Sequence, residues 1–395
     1  MVKVGRRAIF CGKAILGCHA QQGPAAVNTR TVDTDYAPGA GLGGRMTCRG
    51  LLAVVAAAGV FHLGGTAGAA PALEVYGRLP TMDHVAISPD GRAVAFETDL
   101  HGERTVLVQS VDPPSLLGGL KLGRFPLRGL TWVGADHVLL TTATADYARD
   151  VSGPRQDWDM TQSFDIAHNK TTILLKEAGT AMNVVTALPE FRSVAGRPTA
   201  ILRGYYIRGT ANAYSVLTPA LFTVDGATNA TSLVQKGALG ALGWQIDDQG
   251  RPVAETDYDQ KKQSWRLQLW RDGRWVDAMT LTAPLDVPEI IGFSADGASL
   301  IVKTFEGGTP RLKAVRIADG QATNADAALY DRPLLVNDPL TGRLAGGASI
   351  DGGRLDYSFL DAATQASWAG IAHAFADETV ELTSWSQDRG KIVVR

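Results

Sequence analysis

A short turn recurs along this chain at a nearly constant interval, and alternating apolar residues flank each copy. The first copy lies in AISPDGRAVAF, beginning at Ala86. Ser88 opens the turn, Pro89 presets φ at about −65°, Asp90 tolerates the bridge region, and Gly91 accepts a left-handed conformation that a Cβ resists. Val85, Ile87, Val94 and Phe96 fall at period two, as half-buried strands require. Related turns follow at Gly134 (GLTWVGADHVLLTT), Asp247 (GWQIDDQGRPVAET), Ser294 (IGFSADGASLIVKT), Asn337 (LLVNDPLTGRLAGG) and Ser386 (TSWSQDRGKIVVR). The intervals are 46, 113, 47, 43 and 49 residues, and a weaker hairpin near Ala195 (PEFRSVAGRPTAILRGYY) divides the long one. Seven like units result.

A period of about 40–60 residues in a strand-rich chain is that of a propeller, each unit being one four-stranded blade. One unit shows all four strands: Leu242–Ile246, Pro252–Asp257, Trp265–Arg271 and Arg274–Thr280, the last two joined at Asp272-Gly273. The same turn returns as Asp225-Gly226 and Asp319-Gly320. A single amphipathic stretch, Asp361–Phe375, carries Trp368, Ile371, Ala372 and Phe375 at helical spacing. A β-sandwich uses similar turns but rarely needs seven like units. The expectation is an all-β, seven-bladed β-propeller over residues 71–395, its last blade incomplete, with one short helix near 361–375.

Forty-four glycines suit a fold dense in tight turns, and 45% hydrophobic with 20% charged residues is an ordinary globular composition. A net charge of −2 without a basic stripe argues against a nucleic-acid partner. Cys11, Cys18 and Cys48 all precede the repeats and lack zinc-ligand spacing beside histidines. Around Met46 the chain has a basic start at Arg45 and Arg49, then an apolar run Leu51–Phe61 and the small residues Ala67-Gly68-Ala69-Ala70. That layout predicts a signal peptide over 46–70, cut after Ala69 or Ala70, because the run is too short to cross about 30 Å of hydrocarbon. Export to the periplasm follows, with no stable membrane insertion after cleavage. Residues 1–45 show no sustained periodicity and read as a spurious or disordered extension ahead of a true start at Met46.

The segments ISPDGRAVAF, FSADGASLIV and WSQDRGKIVV resemble the propeller repeats of the prolyl oligopeptidase family of serine peptidases, nearest to exported proteobacterial, acylaminoacyl-peptidase-like members. The stretch Tyr357–Arg395 resembles the place where those propellers finish, ahead of the peptidase domain. Tol-type translocation propellers share the repeats. The resemblance implies a peptidase whose serine sits in a G-x-S-x-G elbow of a following α/β-hydrolase domain, with an aspartate and a histidine later. Ser294 in GFSAD and Ser349 in GASID lack the second glycine and lie in strand or turn context. The hydrolase domain needs about 200–250 residues, and Arg395 falls inside the second strand of the seventh unit. The chain therefore reads as a substrate-gating propeller, non-catalytic by itself and truncated before its peptidase domain. Peptide substrates would be met through that missing domain. No catalytic, cofactor-binding or metal-ligating residue is assigned, no cofactor is expected, and the oligomeric state is left open.

Two alternatives compete. One is a free-standing Tol-type periplasmic propeller that binds envelope proteins. The other is a metal-dependent propeller hydrolase, for which Glu255, Asp257 and Asp259 would place three carboxylates on one strand face. Asp157 and Asp159 form a lesser set. His84, His137, His168 and His373 have no nucleophile and orienting acid beside them in sequence, so they read as surface or satisfied residues. Trp132, Trp244 and Trp385 stand at like positions near their turns, which points to packing between blades. Tyr205, Tyr206 and Arg208 are candidates for lining the lumen. A two-stranded last blade is expected to bare Val380, Leu382 and Val393 and to favour aggregation, unless residues 72–82 add an outer strand.

Overall fold

The computed structural model describes residues 7–10, 82–146, 156–176, 179–208, 216–238, 240–325, 332 and 334–395. The expected leader at 46–70, the three cysteines and the stretch 72–81 lie outside these residues. Among the described residues no helix is long and apolar enough to cross a membrane. They are almost entirely antiparallel β-structure, with the helix Ala362–Ala374 as the exception.

Each recurring turn joins two antiparallel strands. In the first unit Met82–Ile87, Ala93–Leu100, Glu103–Val111 and Pro114–Lys121 form a four-stranded meander. The fourth unit (Ala241–Ile246, Pro252–Asp259, Ser264–Arg271, Arg274–Thr282) and the fifth (Glu289–Phe293, Ser299–Glu306, Thr309–Arg316, Ala322–Asn324) repeat it. The second unit runs from Leu127 to Ile173 and the third from Glu190 to Lys236. An additional strand, Ala181–Val185, ties these two into one nine-stranded sheet, because Val185 pairs with both Asp159 and Gly204. The sixth unit has three strands, Leu334–Asn337, Leu344–Asp351 and Arg354–Phe359, and then the helix.

The turn chemistry explains the sequence signature. Ser88 Oγ accepts the amide hydrogens of Arg92 and Ala93 at 3.1 and 3.0 Å and donates to Asp90 Oδ1 at 2.6 Å. Ser294 with Asp296, and Ser386 with Asp388, make the same arrangement. In the fourth and sixth units the carboxylates of Asp247 and Asp338 accept the turn amides directly. Gly91, Gly250 and Gly297 occupy the left-handed position at φ +70°, +73° and +75°. The seventh unit places Arg389 there, at φ +53°. Asn169 and Asn229 are also left-handed turn residues, a conformation asparagine tolerates.

Hydrogen bonds pass from unit to unit. Trp132 Nε1 donates to Ala86 O (2.9 Å), Thr131 Oγ1 to Pro189 O (3.2 Å), and Arg203 Nη2 to Trp244 O (2.8 Å). The fourth and fifth units share a core in which Trp265, Leu267 and Leu269 meet Phe293, Leu300 and Val302. Asn337 Nδ2 donates to Ile291 O (2.7 Å), and Arg389 Nη2 to Asp338 Oδ2 (3.0 Å). The last unit then meets the first: Ile87 N donates to Ser384 Oγ (3.1 Å), Gln387 N to Pro89 O (2.8 Å), and Lys391 Nζ to Gly91 O (2.7 Å). A Cβ on Gly91 would lie 3.1 Å from the Cβ of Ser386, so the close approach of these two turns also calls for glycine.

The helix begins at Asp361, whose carboxylate accepts the Thr364 amide hydrogen at 2.7 Å. Trp368 and Ile371 then cover Val380, Trp385, Ile392 and Val394. This corrects the expected exposure of the last unit. Val380 and Val393 are buried and Leu382 is half-buried, because the helix covers one face and the first unit's Val85, Ile87 and Phe96 cover the other. The edge beside Lys391–Val394 is also paired. Its partner is Arg7–Phe10, running parallel, within the stretch read from sequence as an extension. Unpaired edge amides attract any extended segment that can reach them.

Candidate functional site

In a meander, the connection from second to third strand lies at the end of the first strand away from the recurring hairpin. At that end of the first unit the cross-strand partners Asp83 and Glu97 face each other, and the register shifts between Asp83 and Ala86. The irregularity puts His84 at φ +48°, a conformation uncommon for histidine. Its ring Nδ1 then sits 2.9 Å from Glu97 Oε2, and the Arg104 guanidinium pairs with the other oxygen, Oε1. The Glu97 carboxylate is 5% exposed, whereas His84 and Arg104 remain 26% and 40% exposed. The last unit contributes Arg395, 2.7 Å from Glu381 Oε2 and 3.9 Å from Asp83 Oδ1.

A backbone irregularity aimed at a buried carboxylate is an arrangement found at binding sites. Here it groups an oriented imidazole and two guanidiniums at the end of the first unit opposite its recurring hairpin. Such a group can hydrogen-bond the polar ends of a chain. Sequence reading treated His84 as a satisfied residue, and Glu97 does satisfy it. It missed the grouping, whose members meet only through strand register.

A second charged group lies between the third and fourth units. Glu190 takes Arg192 Nη2 at 2.7 Å and Arg203 Nη1 at 2.5 Å, while Arg203 reaches on to Trp244 O. Burial favours the neutral acid, but the two guanidiniums outweigh it and hold the Glu190 pKa below its ordinary value. Arg192 is 3% exposed, and its Nε has no hydrogen-bond partner among the described residues.

The carboxylates considered for a metal are engaged separately. Glu255 accepts from Trp244 Nε1 at 3.1 Å, Asp257 from Arg266 Nε at 2.9 Å, and Asp259 caps the amides of Lys261 and Lys262. Asp159 lies 3.5 Å from Arg128 Nε, and Asp157 is exposed. Among the described residues no group of three or more His, Cys, Asp or Glu side chains is placed to hold a metal ion. His137 and His168 both approach Asp165, at 3.9 and 2.7 Å. His373 lies in the last turn of the helix. Trp132, Trp244 and Trp385 each pack toward the preceding unit, as expected of inter-unit packing. Tyr206, half-buried, packs against the core of the second and third units with Lys236 Nζ 3.6 Å over its ring. Ser294 is a turn residue and Ser349 a strand residue.

No family model and no curated protein matches the chain. Solved structures similar to it include TolB from Acinetobacter baumannii, at 12% identity and TM-score 0.34, covering 61% of this chain and 53% of that one. The acylaminoacyl peptidase of Pyrococcus horikoshii is similar at 10% identity and TM-score 0.36, covering 71% of this chain and 43% of that one. The β-propeller domain of the trilobed protease from Pyrococcus furiosus is similar at 9% identity and TM-score 0.38, covering 71% of this chain and 79% of that one. Against TolB and the acylaminoacyl peptidase, the likeness spans about half of the other chain or less. At such identities and scores the architecture rests on the strand pairing described above.

Proposed function

We propose that residues 82–395 form a ring of seven units, the propeller portion of an exported prolyl oligopeptidase-like serine peptidase, where it restricts access to a hydrolase domain and performs no hydrolysis itself. The observation that carries the reading is the seam between first and last units, with Ile87 on Ser384, Gln387 on Pro89 and Lys391 on Gly91. Contacts that run from each unit to the next and return to the start support a ring. A ring of sheets excludes folded chains from its lumen and admits extended ones. The His84–Glu97–Arg104 group would meet the polar backbone or termini of such a peptide at the mouth.

The test uses the purified chain with chromogenic aminoacyl and prolyl substrates and a set of fluorescent short peptides. No turnover, with peptide binding weakened by His84→Ala and Arg104→Ala, is expected. Turnover that a serine-directed phosphonate abolishes overturns the non-catalytic reading. Tight binding of one envelope protein, with none of the peptides, replaces gating by docking. Fractionation of the producing cell checks export to the periplasm.

A further inference from the structure

The first turn of the sixth unit, Asp338–Arg343, departs from its counterparts. Its left-handed glycine, Gly342 at φ +67°, lies four residues after the opening aspartate, whereas Gly91, Gly250 and Gly297 lie three after theirs. The longer turn makes contacts in several directions. Gly342 O accepts the Phe293 amide hydrogen of the fifth unit at 3.0 Å. Arg343 Nη2 donates to Asp248 Oδ2 of the fourth at 2.6 Å. Asp338 Oδ2 accepts from Arg389 Nη2 of the seventh at 3.0 Å. Leu340 packs against the core that holds Val133 and Leu139 of the second unit and Phe191 and Leu202 of the third. A Cβ on Gly342 would lie 3.5 Å from Arg192 Nη2, again of the third unit.

In a ring of seven, the third unit is not a neighbour of the sixth, and the seventh lies on the sixth unit's other side. A turn from the sixth that touches both must cross the axis. We infer that the turn 338–343 closes the axial passage at the end that carries the recurring hairpins, with Leu340 as the stopper and Arg343–Asp248 as the latch. The inference rests on the seven-unit ring proposed above. Its consequence is a blind cup: a peptide enters and leaves by the opposite mouth, where His84, Glu97 and Arg104 stand. Closure by an apolar side chain seated in another unit's core is a packed contact. It is therefore more persistent than an exposed ion pair alone.

Photo-leucine, nearly isosteric with leucine, tests this in the full chain without a destabilising substitution. After irradiation, mass spectrometry maps the crosslinks. The expected result is a crosslink from residue 340 to the segments 133–139 or 191–202, lost in urea and reduced by Arg343→Ala. Leu107, which packs with Val393 in the seam, reports on the ring in the same sample. A Leu107 crosslink to 391–394, with residue 340 linked only to the fifth and sixth units, overturns the stopper and leaves the ring standing. Absence of the Leu107 crosslink overturns the ring, and the stopper with it.

Discussion

The backbone N–H of Ile87 donates to the hydroxyl of Ser384, 3.1 Å away and 297 residues later in the chain. Ile87 is buried, so the amide has little water to turn to if the hydroxyl is removed. An unsatisfied buried donor costs about 1–3 kcal/mol. Ser384→Ala should lower stability by that amount, measured by urea unfolding at constant m-value. An effect below about 0.5 kcal/mol would show that water or backbone replaces the hydroxyl, and that the seam is open to solvent.

Glu190 anchors two guanidiniums and is itself half-buried. Burial works against its ionisation, but Arg203 and then Arg192 outweigh that cost and hold its folded pKa below the ordinary glutamate value of 4.5. The stability this contributes is present above pH 4.5 and is lost as pH falls through the folded pKa. Glu190→Gln should destabilise the chain by roughly 2–3 kcal/mol near neutral pH. The deficit should shrink on acidification. Equal deficits at both pH values would mean that packing, and not charge, is what the carboxylate supplies.

The hairpins were legible because their chemistry is local. A hydroxyl or carboxylate, an aspartate and a left-handed residue lie within five positions, so Ser88, Asp247, Ser294 and Ser386 each announce a turn. The four strands of the fourth unit and the helix after Asp361 were read to within two residues. What escaped was non-local. Val185 bridges two sheets without any turn signature, and His84 meets Glu97 only through a register shift. Arg343 reaches Asp248 across 95 residues of chain. Carboxylates at period two, such as Glu255, Asp257 and Asp259, do share a strand face. Sequence gave no warning that Trp244 and Arg266 would engage the first two.

Glu255 should show the opposite pH dependence to Glu190. Burial raises its folded pKa above the ordinary glutamate value of 4.5, against the hydrogen bond from Trp244, and Asp257 adds to the shift. A raised carboxyl pKa means that the folded state holds its proton longer than the unfolded chain. Stability therefore falls as pH rises from 4.5 to the folded value, and is level beyond it. Glu255→Gln keeps an acceptor for Trp244 Nε1 and removes the titration. Its stability relative to wild type should improve across that window, followed by urea unfolding from about pH 4 to pH 8. A difference that does not change with pH would place the carboxylate in ordinary solvent.

Arg389 stands where its counterparts are glycine, and two effects oppose each other there. A left-handed conformation costs a residue with a Cβ about 1 kcal/mol relative to glycine. Against this, the Arg389 side chain donates to Asp338 Oδ2 at 3.0 Å and Thr364 Oγ1 at 3.2 Å, and lies 5.1 Å over the Trp385 ring. It thus joins the seventh unit to both the sixth unit's turn and the helix. Arg389→Ala removes the tie and keeps the strain, while Arg389→Gly removes both. The glycine variant should be the more stable of the two by about 1 kcal/mol. Wild type should exceed the alanine variant, since Asp338 is buried and loses its cation. If alanine matches wild type, Asp338 is held by the turn amides of Leu340 and Thr341 alone, and the residue at 389 is free to vary.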